Sequence, residues 1–214
     1  MKTQKIDERN IVFTYKTPEW DLNLHLIMGR NRDYIIDTGL GSESVAPIKE
    51  YLSGRKPVVV INTHYHWDHV WGNHCFPGAI IIAHRLCGRL IEESWAEKLN
   101  KYKAYVRGEV IKRLPNLAFD GGLYFPDDGI RVFYTPGHTI DCVSVFDELG
   151  GVLNAGDNIG DTPDEIVPDI DTDRDTYLRT IKMYKELNAA VCISGHNKVL
   201  GKETFDKIEE ALGC

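Results

Sequence analysis

The sequence predicts an α/β domain in which helices cover two mixed β-sheets, and three observations carry that reading. Short β-branched stretches recur along the chain, several close enough to pair as hairpins. Amphipathic helical stripes lie between them. No linker, repeat or composition shift divides the 214 residues, a length that suits one sizeable core and is short for two.

In chain order, residues 10–16 and 22–28 alternate apolar and polar side chains, the period of a half-buried strand. Residues 33–37 form a third strand candidate. A first helix over 42–52 opens on Ser42 and closes before Ser53-Gly54. Residues 57–62, carrying Val58, Val59, Val60 and Ile61, read as a buried strand, and 79–83 as another. The longest helical pattern spans 84–114, where Leu86, Leu90, Trp95, Leu99, Tyr102, Val106 and Val110 recur at spacings of three to five residues. Its length predicts a break near Gly88 or Gly108. It reads either as two helices packed on a sheet, or as a lid over a site whose Trp95 and Tyr102 help select substrate. Strand candidates 130–135, 142–146 and 152–155 follow. A helix over 176–188 places Tyr177, Ile181 and Tyr184 on one stripe, 190–194 is a further strand candidate, and 204–212 aligns Phe205, Ile208 and Leu212.

Composition narrows the function. Hydrophobic residues make up 43% and charged residues 27%, ordinary for a globular protein. The apolar runs are strand-length, far below the roughly 20 residues of a membrane-spanning helix. The first nine residues are polar with no apolar stretch behind them, so no secretory signal is expected. A net charge of −7 without a Lys/Arg run disfavours a nucleic-acid partner. Cys75, Cys87, Cys142, Cys192 and Cys214 are odd in number and form no CxxC pair, which fits reduced thiols in a cytoplasmic protein. Each is expected to be a small buried residue, apart from Cys214 at the fraying terminus. Oligomeric state is left open.

The chemistry lies in Thr63-His64-Tyr65-His66-Trp67-Asp68-His69, which directly follows the strand over 57–62. Three imidazoles and a carboxylate within six residues would be costly in a core and serve no packing purpose on a surface. Metal ligation explains them, because neutral imidazole and carboxylate suit zinc and its neighbours. His64 and His66 can point to one side, and Asp68 and His69 can turn toward a second ion. Further ligands are then needed from elsewhere. Val132-Phe133-Tyr134-Thr135 runs into Pro136-Gly137-His138, Val152-Leu153-Asn154-Ala155 into Gly156-Asp157, and Val191-Cys192-Ile193-Ser194 into Gly195-His196. Each is an apolar strand, then a glycine that permits a sharp turn or close approach, then one ligand-type residue.

These residues resemble the metallo-β-lactamase superfamily pattern, an HxHxDH cluster followed by His, Asp and His at strand ends. The match extends from Asp37, in Tyr34-Ile35-Ile36-Asp37-Thr38-Gly39, to His196. The resemblance implies a four-layer αββα sandwich of two mixed sheets flanked by helices, with metals in a cleft at one edge. It implies that His64, His66 and His138 hold one ion, that Asp68, His69 and His196 hold a second, and that Asp157 bridges them. Asp37 matches a family position that supports the site without ligating.

Departures from better-known branches narrow the expectation. The zinc β-lactamases generally lack counterparts of His69 and Asp157, which places this site nearer glyoxalase II, lactonases and general hydrolases. The oxygen-reducing diiron members carry glutamate in place of His66 and a flavin domain. The 18 residues after His196 are too few for the helical substrate domain of glyoxalase II. No RNA-grasping extension of the tRNA-processing members is visible. The expected enzyme is therefore a hydrolase with two zinc ions, iron or manganese being possible in their place. Its nucleophile is a metal-bridging hydroxide, since coordination lowers the pKa of water to about 7. Asp68 or the bridging pair is expected to shuttle the proton. Asp161, Asp164, Glu165 and Asp169, in the segment after Asp157, run beside the cleft and disfavour polyanions. A small neutral or monoanionic ester, thioester or lactone is the expected substrate. The alternative is an iron-dependent, persulfide-type dioxygenase on the same ligands. A purely structural role for the metals is disfavoured, because structural zinc sites are closed and four-coordinate. His25 is expected to be a partly exposed strand residue, with His74 and His84 outside the site.

Overall fold

The computed structural model describes residues 1–52, Gly54 and 56–213; the expectation for Cys214 lies outside these residues, as does Ser53 of the expected helix stop. Seven strands form the first sheet in sequential order: β1 (Lys2–Lys5), β2 (Asn10–Lys16), β3 (Asp21–Met28), β4 (Asp33–Ile36), β5 (Val58–Ile61), β6 (Ile80–His84) and β7 (Leu117–Phe119). β1 to β4 are antiparallel hairpins, whereas β4 to β7 run parallel. The second sheet comprises β8 (Gly122–Phe125), β9 (Ile130–Tyr134), β10 (Val143–Asp147), β11 (Val152–Gly156), β12 (Val191–Ser194) and β13 (Leu200–Gly201), in the order β13-β12-β11-β10-β9-β8. The two mixed sheets make the middle layers of the expected αββα sandwich.

The pleat assigns each strand residue to a layer. Tyr34, Ile36, Val59 and Ile61 face inward against Ile130, Val132, Val143 and Val145 of the other sheet. Their neighbours Ile35 and Val60 face outward with Leu22, Leu24 and Leu26, and bury Val45 and Ile48 of α1 (Ser42–Tyr51). A one-turn α2 (Trp67–Val70) and α3 (Cys87–Lys101) share the same side through Val70, Trp71, Ala83, Cys87 and Ile91. On the far side α4 (Arg174–Leu187) and α5 (Thr204–Ala211) bury Tyr177, Ile181, Tyr184, Phe205 and Ile208 against Leu153, Ala155 and Cys192. The Asp173 carboxylate caps α4 by accepting from Thr176 N–H at 2.8 Å, and Asn188 ends it in a left-handed conformation (φ 49°).

The pattern over 84–114 does not become two helices. α3 stops at Lys101, a 3₁₀ turn covers Lys103–Tyr105, and the chain is irregular from 106 to 116. The reason lies in α1, whose first N–H groups lack partners inside their own helix. Ser42 N–H donates to the Glu109 carbonyl at 2.9 Å and Glu43 N–H to the Arg107 carbonyl at 3.2 Å. A continued helix would have used those carbonyls internally. The apolar residues of this stretch, Val106, Val110 and Leu114, still pack against Trp71 and its neighbours, so the stripe reported burial correctly and conformation wrongly.

His25 is also corrected: it is fully buried between the sheets. Its Nε2 lies 3.0 Å from Asn10 Oδ1, and its Nδ1 3.5 Å from Asn154 Nδ2. Burial lowers its pKa to about 3, keeping the imidazole neutral. Cys87, Cys142 and Cys192 are buried free thiols, as expected, while Cys75 is half-buried. Among the described residues no helix is long and apolar enough to cross a membrane.

Candidate metal centre

Strand direction brings the candidate residues to one edge. β4 and β5 are parallel, as are β11 and β12. β9 and β11 both run antiparallel to β10, so they point the same way. Asp37 follows β4, His64 follows β5, Asp157 follows β11 and His196 follows β12, with His138 in the turn after β9. Asp68 and His69 sit on α2, which Thr38 N–H anchors to the loop after β4 by donating to His69 O at 2.8 Å. The edge where these strands end is where α/β folds place ligands.

Two backbone features let the groups converge. Gly156 turns out of β11 in the left-handed region (φ 53°), where a Cβ would also lie 2.9 Å from Thr63 Cβ. A Cβ on Gly195 would lie 2.0 Å from Asp157 Oδ1 and 2.9 Å from His69 Cε1, so only glycine admits that carboxylate.

The donor atoms of His64, His66, His138 and Asp157 all lie within 4.8 Å of one another, and those of Asp68, His69 and His196 form a second such group. Asp157 Oδ2 sits between the groups. It is 3.5 Å from His64 Nε2, 3.8 Å from His138 Nε2, and 3.2 Å from both His69 Nε2 and His196 Nε2. Asp68 Oδ2 approaches His196 Nε2 at 3.3 Å and His69 Nε2 at 3.6 Å. All seven expected ligands are thus brought together, and their grouping follows the two expected sets.

The other nitrogen of four of these rings is held from behind. His69 Nδ1 lies 2.8 Å from Asp37 Oδ2, His138 Nδ1 2.8 Å from the Asp169 carbonyl, and His196 Nδ1 2.8 Å from the Asp21 carbonyl. Carbonyls and carboxylates only accept, so each Nδ1 carries the proton and each Nε2 faces the cluster. Thr63 Oγ1 donates to Asp37 Oδ2 at 2.7 Å and is left to accept from His64 Nδ1 at 3.1 Å. Asp37 therefore orients two imidazoles and also receives Thr63 N–H at 2.7 Å, from a left-handed backbone (φ 61°) that asparagine and aspartate tolerate. It does not join either ligand group.

Charge sorts the rings into two kinds. Burial, with His69 and other imidazoles nearby, holds His64 well below its usual pKa, and burial beside His138 brings His66 to about 4. Burial opposes charge on His69 and His196 as well. There Asp157 and its fellow carboxylates prevail, lifting His69 well above the usual value and His196 to about 9. Burial likewise opposes the Asp157 charge, but His69, His196 and His64 hold its carboxyl well below the usual range. The carboxylates thus demand positive charge among them. A divalent cation fits that demand, because His64 Nε2, His69 Nε2 and Asp157 Oδ1 are buried without a hydrogen-bond partner.

The cluster forms the floor of an open cleft of about 640 Å³. Trp20, Trp67, Lys98 and Tyr102 line it together with His66, Asp68, His138, Asp157 and His196. Asp161, Glu165 and Asp169 line it too, so the acidic segment does run beside the cleft. Tyr102 stacks on Trp67 with ring centres 4.4 Å apart, whereas Trp95 packs in the cluster beneath α3. Trp20 meets His196 edge-on at 5.0 Å. No pattern in the sequence marks Trp20, Trp67 or Lys98 as a cleft residue. The one signal for Trp20 was a large aromatic in the polar turn Thr17-Pro18-Glu19-Trp20. His74 and His84 stay outside: His74 Nδ1 bonds the Trp71 carbonyl at 3.1 Å, and His84 stacks on Tyr134 at 4.2 Å.

The family model of the metallo-beta-lactamase superfamily matches residues 20–196. No protein of curated function matches the chain in sequence. Among solved structures, the chain is similar to the DIM-1 metallo-beta-lactamase at TM-score 0.74 and 18% identity, covering 98% of this chain and 95% of that one. A metallo-beta-lactamase from Pontibacter korlensis gives TM-score 0.73 and 19% identity over 99% and 98% of the two chains. An archaeal metallo-beta-lactamase superfamily protein from Sulfolobus tokodaii gives 0.68 and 23% over 90% and 80%. At these identities the likeness concerns the fold.

Proposed function

The chain belongs to the metallo-beta-lactamase superfamily, and from that premise we propose that it is a dinuclear metal-dependent hydrolase of small esters, thioesters or lactones. One observation carries the proposal: seven imidazole and carboxylate residues converge, five of them lining the floor of an open cleft, and three of their buried atoms lack a partner in the protein. A structural metal site would be closed, whereas this one opens to a volume that admits a small molecule.

In this reading His64, His66 and His138 would hold one ion and Asp68, His69 and His196 the other, with Asp157 placed between the two sets. Zinc is the proposed metal. Metal bound there supplies an activated water at neutral pH and polarises the scissile carbonyl. Asp68, which lines the cleft, would take up and return a proton at the carboxylate oxygen that does not face His69 and His196. Asp37 fixes His69 and, through Thr63, His64, so that both present a lone pair to the cluster. Trp20, Trp67 and Tyr102 shield one wall from water and pack the apolar part of the substrate. Asp161, Glu165 and Asp169 turn away polyanions. A cytoplasmic setting suits the free thiols.

The first test is elemental analysis of protein purified without added metal, followed by an ester, thioester and lactone panel. About two zinc ions per chain with turnover is the expected result. A single iron with oxygen uptake on persulfides would replace this reading by the dioxygenase one. His66→Ala should lose both metal and activity; full turnover by that variant stripped of metal would sink the proposal.

A further inference from the structure

The cleft lining is chemically mixed: it carries Asp161, Glu165 and Asp169 as well as an aromatic wall of Trp20, Trp67 and Tyr102. Among the described residues lining the cleft, Lys98 is the only lysine or arginine. It projects from the last turn of α3, half-buried, with its stem bordering a small hollow beside Trp67 and Trp95. Its ammonium sits 5.8 Å from the centre of the Tyr102 ring. Of the other basic residues on α3, Arg89 pairs with Glu93 at 3.7 Å, and Lys101 lies over the same Tyr102 ring at 4.9 Å but outside the cleft lining. Lys98 has no carboxylate within ion-pair reach among the described residues, although three acidic side chains line the same cleft. A lysine that is half-buried, with its ammonium near one aromatic ring and no ion-pair partner, gains from an anion brought to it.

From this we infer that Lys98 is a specificity-determining residue, and that the substrate is a monoanion whose carboxylate pairs with Lys98 while its apolar part lies on the Trp20, Trp67 and Tyr102 wall. Asp161, Glu165 and Asp169 in the same lining disfavour a second negative charge on the substrate. The inference rests on the hydrolase reading above and adds the substrate class to it. Trp20 is itself held in place by stacking on Tyr105 at 5.8 Å, so the wall is preformed.

The test uses the metal-loaded full chain and two pairs of thioesters. One pair carries its carboxylate on the acyl side (S-phenyl monothioadipate), the other on the thiol side (the acetyl thioester of 4-mercaptobenzoate). Each is compared with its methyl ester. For at least one pair, the wild type should show a KM at least about tenfold lower for the carboxylate member, the size of one charge-assisted contact. Lys98→Met, which keeps the stem, should collapse that ratio toward one, and Lys98→Arg should retain most of it. Metal content and melting temperature report whether each variant is folded. A ratio near one in the wild type, or a ratio that survives in Lys98→Met, overturns the inference. If the wild type turns over none of the four thioesters, the hydrolase reading fails for this class, and binding decides the inference separately. Quenching of tryptophan fluorescence by 4-phenylbutanoate should then be at least about tenfold tighter than by 4-phenylbutanamide. The excess over the amide should vanish in Lys98→Met; equal excess in both proteins overturns the inference.

Discussion

Replacing Gly195 by alanine tests how tightly the fold positions the Asp157 carboxylate. The added Cβ would stand 2.0 Å from Asp157 Oδ1, where ordinary contacts begin at 3.4 Å, so about 1.4 Å must be relieved. The backbone at Gly195 cannot supply it. Its carbonyl accepts from Asn23 N–H at 2.7 Å, and its own N–H donates to the Gly156 carbonyl at 3.1 Å. His69 Cε1, 2.9 Å from the same Cβ, blocks a sideways retreat, so the Asp157 carboxylate must swing away from the four imidazoles it faces. A misplacement of about 1 Å in a catalytic group costs on the order of 100-fold in rate, or about 2.7 kcal/mol. Gly195→Ala is therefore expected to lower kcat/KM at least about 100-fold and to reduce bound metal per chain. Steady-state kinetics on any turned-over thioester and elemental analysis read both effects. Gly88→Ala is the control: nothing lies within 4 Å of its Cβ, and removing a helical glycine should raise stability by about 0.4–1 kcal/mol. A Gly195→Ala enzyme with wild-type metal content and kcat/KM within about threefold would refute the reasoning, since 1.4 Å of displacement could not then matter.

Two further outcomes are expected. Asp37→Asn keeps the tolerance for φ 61° but removes the charge that His69 Nδ1 and both Thr63 donors share, so metal affinity or activity should fall about 10- to 100-fold; a competition titration showing unchanged affinity, with unchanged kcat/KM, refutes the orienting role. His25, with a folded pKa of about 3 against 6.5 when exposed, binds its proton in the unfolded chain first, so its contribution to stability is whole above pH 6.5 and is lost as pH falls toward 3. The loss should reach about 2 kcal/mol by pH 5 and be absent in His25→Gln; urea unfolding at pH 7.5 and 5 with equal pH dependence in both proteins contradicts this.

The sequence by itself determined the central strands and the donors, but not the short strands β1, β7, β8 and β13. Apolar runs of strand length marked β4, β5, β11 and β12, because both faces of these strands are buried and carry apolar side chains. His64, His66, Asp68 and His69 stood out because their spacing is local, and His138, Asp157 and His196 because a glycine precedes each at a strand end. Everything that depended on atoms far apart in the chain waited for the tertiary structure. The carbonyls of Asp21 and Asp169, which hold His196 and His138, are backbone atoms that any residue would supply and so leave no trace in composition. The stripe over 84–114 could announce burial but not that Arg107 and Glu109 would surrender their carbonyls to the first turn of α1. His25 alternates like a solvent-facing strand residue, and only the approach of Asn154 from the second sheet turns its face into the interior. Lys98 lies some 30 residues beyond the HxHxDH cluster on a helix, and its place in the cleft follows from how that helix packs on Trp67 and Trp71, a matter of tertiary contact alone.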